Sequence, residues 1–345
     1  MLALLCLGDK IANTQFMIEL IASIEKNECV LLTAPPGWGK TYKILHALKM
    51  SKRKVYFIFP LRALCEEVYK NALSLGLDVG LIHKKSKKKD YKQLMICTPE
   101  GFKIGERDQE ALFILDEFHL FYYWGETFRS YMLECYYEIA SSSYALMMLS
   151  ATISQELKGR INGDLALNYE DIFHIDFGNQ RLKNLPSKIF YYPKVFKNYL
   201  LDEIFYPREG VSLIFCPYRS QVESLSKQLK SRNFIVLSCI GGQAKQFVKD
   251  MEKIKTPNYI VATSVISHGV NLPQIERICF LSEIDNIDYY LQMAGRGGRN
   301  GEKYEIHTFN KDYFGQRKIL NGLLRVLVRR VINKINKIIE RAYED

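Results

Sequence analysis

The sequence lacks the marks of several protein classes. Its eight cysteines stand singly, with no C-x-x-C pair, so neither a zinc site nor a disulfide framework is expected. Cys29, Cys97, Cys216 and Cys279 lie in or beside apolar runs, which predicts buried free thiols and a reducing, cytoplasmic location. No apolar run approaches the ~20 residues of a membrane span, so no membrane partner is expected. The N-terminal run "MLALLC" is predicted to be a strand or packing segment.

Acidic residues are in the minority. The 345 residues include 38 Asp and Glu against 48 Lys and Arg, a formal net charge of +10. This excess favours a polyanion such as nucleic acid as partner, although a solvated lysine surface is the alternative. The composition is 48% hydrophobic and 25% charged, as in globular proteins, and the length allows two domains.

Short apolar runs alternate with helical stretches, a pattern typical of parallel α/β units. Predicted strands of a first series are 29–33, 54–60, 94–99, 112–117 and 145–152. Those of a second series are 211–217, 234–240, 258–264 and 277–283, with an amphipathic helix at 220–231. A polar stretch at 177–188 separates the two series. We therefore predict domains at 1–180 and 181–312, followed by a basic amphipathic helix at 313–345.

The C-terminal helix has one apolar face, defined by residues at three- and four-residue steps. These residues are Leu320, Leu324, Leu327, Val331, Ile335 and Ile338. The favoured interpretation is a helix that docks by this face and leaves a basic back in solvent. The alternative is a helix that contacts phosphates.

The run "APPGWGKT", Ala34 to Thr41, lies between a predicted strand and a helix and departs from G-x-x-x-x-G-K-[ST] only at its first position. All eight residues are predicted to bind nucleotide phosphates: Ala34, Pro35, Pro36, Gly37, Trp38, Gly39, Lys40 and Thr41. The loop's backbone N–H groups would wrap the phosphates, Lys40 would neutralise them, and Thr41 would hold Mg²⁺. Because backbone groups grip the phosphate, Trp38 is compatible with binding. Its indole is expected to be covered by the second domain or by a neighbouring element of the first.

A partner carboxylate is expected at the end of a buried strand. "ALFILDEFH" supplies Asp116, predicted to hold Mg²⁺, and Glu117, predicted to polarise the attacking water.

Six further runs accompany these two in the chain. "PLRAL" (60–64) and "TPE" (98–100) lie between them, and "SAT" (150–152), "SLIFCPYRS" (212–220), "VATSVISHGVNLP" (261–273) and "QMAGRGGR" (292–299) follow. Together they resemble the motifs of superfamily 2 helicases of the DExH type, and the last two are most similar to 3′-to-5′ enzymes. The resemblance implies two RecA-like P-loop domains with parallel sheets plus the C-terminal helix. It also implies an ATP hydrolase that moves along or unwinds DNA or RNA, with ATP and Mg²⁺ as cofactors.

The resemblance implies a role for each matching residue. Lys40, Glu117, Arg296 and Arg299 would be catalytic, the arginines reaching the γ-phosphate. Gln15 would read adenine, and Gly269 and Asn271 would lie near the ribose. His119, Ser150, Thr152 and Gln292 would couple the ATP site to the rest of the enzyme, His119 through Gln292. The loops for the nucleic-acid backbone would carry Pro60, Arg62, Thr98, Pro217, Arg219, Thr263 and Ser264.

Three departures from the family pattern shape the alternatives. Only 14 residues precede Gln15, which leaves out the upstream aromatic that stacks on adenine in relatives. The "PLRAL" run has no clear hydroxyl residue, so Arg62 and backbone groups would replace it. About 45 residues follow "QMAGRGGR", too few for accessory strand-splitting domains. An alternative is therefore an ATPase subunit whose protein partner supplies the splitting element; a non-catalytic nucleic-acid-binding scaffold is a further alternative. The expected substrate is DNA or RNA, either as a single strand or as a tailed duplex.

Overall fold

The computed structural model describes residues 4–6, 14–82, 92–102, 110–267, 272–299, 301–311 and 320–344. The chain divides into two compact units, Met1–Lys183 and Asn184–Asp345. The division lies three residues beyond the boundary expected from the sequence, and the C-terminal helix belongs to the second unit.

The first unit is a parallel sheet with helices in its connections. Its strands are β1 (Leu4–Cys6), β2 (Glu28–Thr33), β3 (Val55–Ile58), β4 (Val79–Ile82), β5 (Leu94–Cys97), β6 (Leu112–Leu115), β7 (Leu146–Ser150) and β8 (Asp171–Asp176). Its helices are α1 (Thr14–Ser23), α2 (Lys40–Leu48), α3 (Arg62–Ser74), α4 (His119–Gly125), α5 (Tyr131–Ser141) and α6 (Gln155–Leu165). The strand order is β1-β8-β2-β7-β6-β3-β5-β4, and every pairing is parallel.

The second unit repeats this architecture with a different order. Its strands are β9 (Lys188–Tyr191), β10 (Val211–Phe215), β11 (Val236–Cys239), β12 (Tyr259–Ala262), β13 (Ile275–Phe280), β14 (Glu305–Thr308) and β15 (Leu320–Asn321). Its helices are α7 (Lys197–Phe205), α8 (Arg219–Lys230), α9 (Ala244–Lys253), α10 (Ile287–Ala294) and α11 (Gly322–Glu344). The parallel strands run β11-β12-β10-β13-β14-β9-β15.

The apolar runs become strands because parallel sheets covered on both faces bury every residue of a strand. All residues of β3, β5, β6, β7, β10 and β12 are buried. The predicted α/β class is therefore confirmed, and a strand lies in each of the nine predicted runs. Strands such as β8 (DIFHID) and β14 (EIHT) escaped prediction because charged residues and histidine interrupt their apolar character.

The face by which α11 packs was predicted wrongly. The helix packs against α7 and β9 through Gly322, Arg325, Val326 and Arg329. Val326 is fully buried, and both arginines pair with the buried carboxylate of Glu203. The predicted apolar face, including Leu324 and Val331, is instead exposed. The reason is electrostatic, because the carboxylate of Glu203 is fully buried in the second unit and requires cationic partners.

Seven cysteines are free and buried: Cys29, Cys65, Cys97, Cys135, Cys216, Cys239 and Cys279. Burial raises the pKa of Cys65 to about 12 and that of Cys239 to about 11, so these thiols stay protonated at neutral pH. No helix in the described part of the chain is long and apolar enough to cross a bilayer.

Candidate nucleotide site and nucleic-acid loops

The loop between β2 and α2 has the backbone shape of a phosphate cradle. Gly37 and Gly39 have φ values of 77° and 89°, in the left-handed region that glycine adopts without penalty. The amide of Trp38 donates to the Pro35 carbonyl at 3.1 Å, which closes the turn. The amide of Ala34 donates to the Ser150 carbonyl at 3.1 Å and fixes the loop's start to β7. The loop therefore leads into the N-terminus of α2, where backbone N–H groups attract anions.

Lys40 and Thr41 meet the partner carboxylate at this loop. The ammonium of Lys40, which is 9% exposed, donates to the Ala34 carbonyl at 2.8 Å, so it lies folded back over the cradle. The Thr41 hydroxyl donates to Asp116 Oδ2 at 3.1 Å. Asp116 follows β6, whose neighbours in the sheet are β3 and β7, and its amide donates to the Ile58 carbonyl at 3.0 Å. The two predicted Mg²⁺ ligands are thus brought together at the carboxyl edge of the sheet.

The neighbouring carboxylates of Asp116 and Glu117 repel each other, and that of Asp116 is buried. Burial, and next the nearby Glu117 carboxylate, raise the pKa of Asp116 to about 7, while Lys40 opposes the shift. Glu117 has φ of 49°, a left-handed conformation that costs a non-glycine residue roughly 1–3 kcal/mol, and its amide donates to Asp116 Oδ1 at 2.9 Å. A hydroxyl and a carboxylate are the hard oxygen donors that Mg²⁺ prefers, and a cation would relieve the repulsion between the carboxylates. The residues therefore fit the ion.

His119 is joined to the "SAT" run. Its Nδ1 lies 2.8 Å from Ser150 Oγ, and the Ser150 hydroxyl donates to the Thr152 carbonyl at 2.8 Å. Since the hydroxyl hydrogen is used there, the His119 Nδ1–H is the donor to Ser150. Glu117 Oε2 is 3.8 Å from the same nitrogen. A series of side-chain contacts, Glu117 to His119 and His119 to Ser150, therefore connects Glu117 to β7. Gln292, the partner expected from the sequence, belongs to the second unit.

Trp38 is covered within its own unit. Its ring stacks on Phe177 with centroids 4.8 Å apart and planes 20° apart. Phe177 meets Phe16 edge-on at 5.9 Å, and Lys43 Nζ lies 4.8 Å from the Trp38 ring centre. Of the two covers expected for this indole, the structure has the neighbouring element of the first domain. Phe177 follows β8 and was not identified from the sequence.

Gln15 lies at the second position of α1, in the turn that carries Phe16. Its side chain is exposed, and its amide donates to Glu19 Oε1 at 2.8 Å. Phe16 contacts Phe177, which in turn covers the phosphate loop. These ring contacts connect the turn that carries Gln15 to Trp38 of the loop.

The first unit's predicted nucleic-acid loops follow two adjacent strands. Pro60 and Arg62 come after β3, and Thr98 comes after its neighbour β5. Pro60 and Thr98 are buried, whereas the Arg62 side chain is 62% exposed and pairs with Glu66 at 3.2 Å.

Arg129, which the sequence did not reveal, holds these loops together. Its guanidinium makes two bonds to Glu100, of 2.5 and 2.8 Å, and a third to the Pro60 carbonyl. Burial works to raise the pKa of Glu100, but the bonds from Arg129 outweigh it, so the pKa lies below its usual range. Trp124 and the exposed Phe128 contact each other just before Arg129.

The second unit's predicted loops show the same geometry. Pro217 and Arg219 follow β10, and Thr263 and Ser264 follow its neighbour β12. Arg219 is exposed. Its guanidinium lies close to the backbone of Gly241, because a Cβ added to that glycine would be 3.1 Å from Arg219 Nη2. In both units, therefore, the predicted backbone-binding residues lie at the carboxyl ends of adjacent strands, where loops of parallel sheets bind ligands.

The "QMAGRGGR" run is packed rather than flexible. Gln292 lies on α10, and Arg296 and Arg299 follow in the next turn, with the Arg299 Nε donating to the Gly295 carbonyl at 3.3 Å. A Cβ at Gly297 would lie 2.3 Å from the Tyr304 ring, so only glycine fits there. Gly269 and Asn271 lie outside the described residues.

A buried charge cluster in the second unit was also missed. It contains Glu203, Glu305 and His307. One carboxylate oxygen of each glutamate and one ring nitrogen of the histidine lie within 4.8 Å of one another, a spacing also found in metal sites. Four guanidiniums occupy their surroundings, from Arg208, Arg277, Arg325 and Arg329. Burial lowers the pKa of His307. Because the arginines supply more positive charge than the carboxylates can neutralise, the cluster joins α11 to its unit and is not a cation site.

Two family models match the chain in succession. The DEAD/DEAH box helicase model matches residues 14–159, and the helicase conserved C-terminal domain model matches residues 197–301. Together they account for most of the chain, which therefore belongs to the DEAD/DEAH box helicases of superfamily 2.

Relatives and solved structures agree. The ATP-dependent RNA helicase eIF4A of Aspergillus clavatus is 25% identical over 315 residues, 82% of this chain and 77% of the relative. The RecQ-like DNA helicase BLM of Xenopus laevis is 25% identical over 309 residues, 80% of this chain but 22% of the relative. S. cerevisiae Dbp5 bound to RNA and ADP BeF3 has the same fold, with a TM-score of 0.65 at 16% identity over 89% of this chain and 88% of that one.

The fold is thus two RecA-like domains, and the chain is an ATP-hydrolysing, ATP-dependent nucleic-acid helicase. The function, enzyme class and ATP cofactor expected from the sequence are confirmed at this level.

Proposed function

We propose that this helicase is of the DExH type and moves along a single strand in the 3′-to-5′ direction, hydrolysing ATP with Mg²⁺. The observation that carries the proposal is the 3.1 Å bond between Thr41 and Asp116 beside the folded-back Lys40. The DExH assignment is supported by His119, whose bond to Ser150 gives the histidine of "DEFH" a structural task.

Each residue of the site is assigned one step. Thr41 and Asp116 would hold Mg²⁺, which when bound offsets the phosphate charge. Lys40 would exchange the Ala34 carbonyl for phosphate oxygens. Glu117, 23% exposed, would orient the attacking water and accept its proton. Arg296 and Arg299 remain the proposed ligands of the transferring phosphoryl group.

The proposed substrate is a single strand or tailed duplex, held by its backbone. The loops after β3, β5, β10 and β12 offer arginine, hydroxyl and backbone groups, which grip phosphates with little regard to sequence. Relatives named as RNA helicase and as DNA helicase both match the chain. Matched RNA and DNA strands compared at one salt concentration decide between the two, because affinity depends steeply on salt.

The test is steady-state ATP hydrolysis with and without single strands. We expect stimulation by a strand, dependence on Mg²⁺, and a loss of at least roughly a hundredfold in Glu117→Gln. The matched control is Glu126→Gln, since Glu126 pairs with Arg160 on the surface and should change the rate little. A rate that no strand alters, or a Glu117→Gln variant as active as the control, would contradict the proposal.

A second candidate is a translocase that unwinds only with a protein partner. The apolar face that α11 leaves exposed favours it. Strand displacement on 3′-tailed and 5′-tailed duplexes by the purified chain separates the candidates. Displacement of the 3′-tailed duplex alone supports autonomous unwinding, whereas strand-stimulated ATPase without displacement supports the partner-dependent enzyme.

An intracellular, reducing location is proposed as well. It is supported by the seven cysteines from Cys29 to Cys279, which are buried and form no disulfide. Cell fractionation tests it, and recovery of the chain outside the cell would contradict it.

A further inference from the structure

Helix α11 leaves an apolar stripe in solvent. We define the stripe as Leu324, Leu327, Val328, Val331 and Ile332, whose side chains are 58%, 40%, 50%, 58% and 50% exposed. The helix uses its opposite side to pack on its own domain, so nothing within the described second unit covers the stripe. Single exposed apolar residues are ordinary on protein surfaces. A contiguous stripe of five marks an interaction surface instead.

The spacing of the stripe points to a helical partner. Leu324, Val328 and Val331 are separated by four and then three residues, and the sequence continues these steps at Ile335 and Ile338. Alternating steps of four and three form a heptad repeat, which keeps a narrow apolar seam facing one partner helix. The β-branched residues at most of these positions are those found in coiled-coil seams.

The charges beside the seam are of one sign. From Gly322 to Ile339, α11 contains no aspartate or glutamate. The arginines nearest the domain are already paired, Arg329 with Glu203 and Arg330 with Asp202. Lys334 borders the seam, is exposed, and forms no ion pair with another described residue. The sequence places Arg341 one heptad further along the same flank.

We propose that the apolar stripe docks an amphipathic helix of a partner protein that carries its own apolar seam and a line of acidic residues facing Lys334. A second copy of this chain fits less well. In a parallel pair, the residue opposite Lys334 would be Ile339 of the copy, so no ion pair would form between two strongly basic helices. An acidic helix would bury the same seam and neutralise that flank.

The stripe lies on α11, whereas the residues of the second unit that are proposed for the ATP site, Arg296 and Arg299, follow α10. Its failure and that of the proposed function are therefore distinguishable. Strand-stimulated ATP hydrolysis tests the nucleotide site, and helix binding tests α11.

Two synthetic peptides of three heptads serve as probes. Both have isoleucine and leucine in the seam; one has glutamate at both flanking positions and the other has lysine. Binding of each labelled peptide to the full chain is measured by fluorescence anisotropy at fixed salt. We expect the glutamate peptide to bind at least roughly tenfold more tightly than the lysine peptide.

Variants locate the binding on the stripe. Val331→Asn should weaken the glutamate peptide roughly tenfold, whereas Val248→Asn, the same change at a 42% exposed site on α9, should leave binding unchanged. Lys334→Glu should weaken the glutamate peptide and strengthen the lysine peptide, each roughly threefold. None of these side chains is part of the nucleotide site, so ATP hydrolysis should stay at the wild-type rate and report that the variants fold.

Several results would overturn the proposal. Equal binding of the two peptides would remove the charge argument, and binding unaffected by Val331→Asn would place the peptide elsewhere. A dimer by light scattering that Val331→Asn makes monomeric would assign the stripe to a second copy. Flotation with anionic phosphatidylglycerol vesicles, lost in Val331→Asn, with no binding of either peptide would assign it to a lipid surface.

Discussion

Replacing Glu203 with glutamine should destabilise the second domain more than any neighbouring change of similar size. The Glu203 carboxylate is fully buried, with Arg208 and Arg329 each at 2.6 Å and Arg325 at 3.5 Å. Glutamine keeps the volume and one acceptor oxygen, so the variant removes charge without opening a cavity. Breaking a buried ion pair from one side costs about 3–5 kcal/mol, because the remaining charges stay buried without compensation.

The preceding residue provides a matched control. Asp202 pairs with Arg330 on the outside of α7, where the carboxylate is 41% exposed. Surface pairs contribute about 0–1 kcal/mol, so Asp202→Asn should change stability little. The urea dependence grows with chain length and is expected at the upper part of its usual range, about 2–3 kcal/mol per molar. Glu203→Gln should therefore lower the unfolding midpoint by roughly 1–2 M relative to that control.

Urea unfolding followed by far-UV circular dichroism measures the difference. Hydrogen exchange of the α11 amides should also accelerate in Glu203→Gln, since Arg325 and Arg329 lose the carboxylate that anchors the helix. Equal midpoints for Glu203→Gln and Asp202→Asn would refute the reasoning, because the buried cluster would then contribute no more than a surface pair.

Three further outcomes are expected. Ser150→Ala removes the acceptor of His119 and should reduce ATP turnover ten- to roughly a hundredfold with nucleotide affinity kept; unchanged turnover would show that the bond positions nothing. Arg129→Ala should raise the strand concentration for half-maximal ATPase stimulation roughly tenfold at an unchanged basal rate, whereas Arg160→Ala should not; a shift of the basal rate alone would contradict the role assigned to Arg129. Burial, and next the positive charge of Lys158, lower the pKa of His174 to about 4, so the unfolded chain binds a proton more readily than the folded chain. The free energy of unfolding is therefore highest above pH 6.5 and falls by up to about 3 kcal/mol as the pH is lowered toward 4. Urea midpoints at pH 7 and 4.5 should differ less in His174→Gln, and an equal difference would contradict this.

The sequence predicted what is local in the chain. The eight-residue phosphate loop, the carboxylates after β6 and the arginines after α10 are short runs whose order carries the information. Their strands are apolar throughout because both faces of the sheet are covered, and this is visible in the sequence as short continuous apolar runs. The outline of the site could therefore be derived before any coordinates.

Contacts between distant residues could not be derived in this way. Arg129 and Glu100 are 29 residues apart, and Arg329 and Glu203 are 126 apart; neither pair leaves a periodic pattern. The apolar period of α11 was recognised correctly, but which face docks depends on Glu203, whose burial is a property of the folded domain. Similarly, Phe177 covers Trp38 only because β8 lies beside β2 in the sheet.

The stacking of Trp38 on Phe177 gives the protein a built-in optical probe. The chain has two tryptophans; Trp38 belongs to the phosphate loop, and Trp124 lies beside the arginine that joins the loops after β3 and β5. Both are in the first unit, so indole emission reports on that unit and is silent on the second. With Trp124 replaced by phenylalanine, the emission of Trp38 alone should follow events at the phosphate loop in real time, without an attached dye or a modified nucleotide.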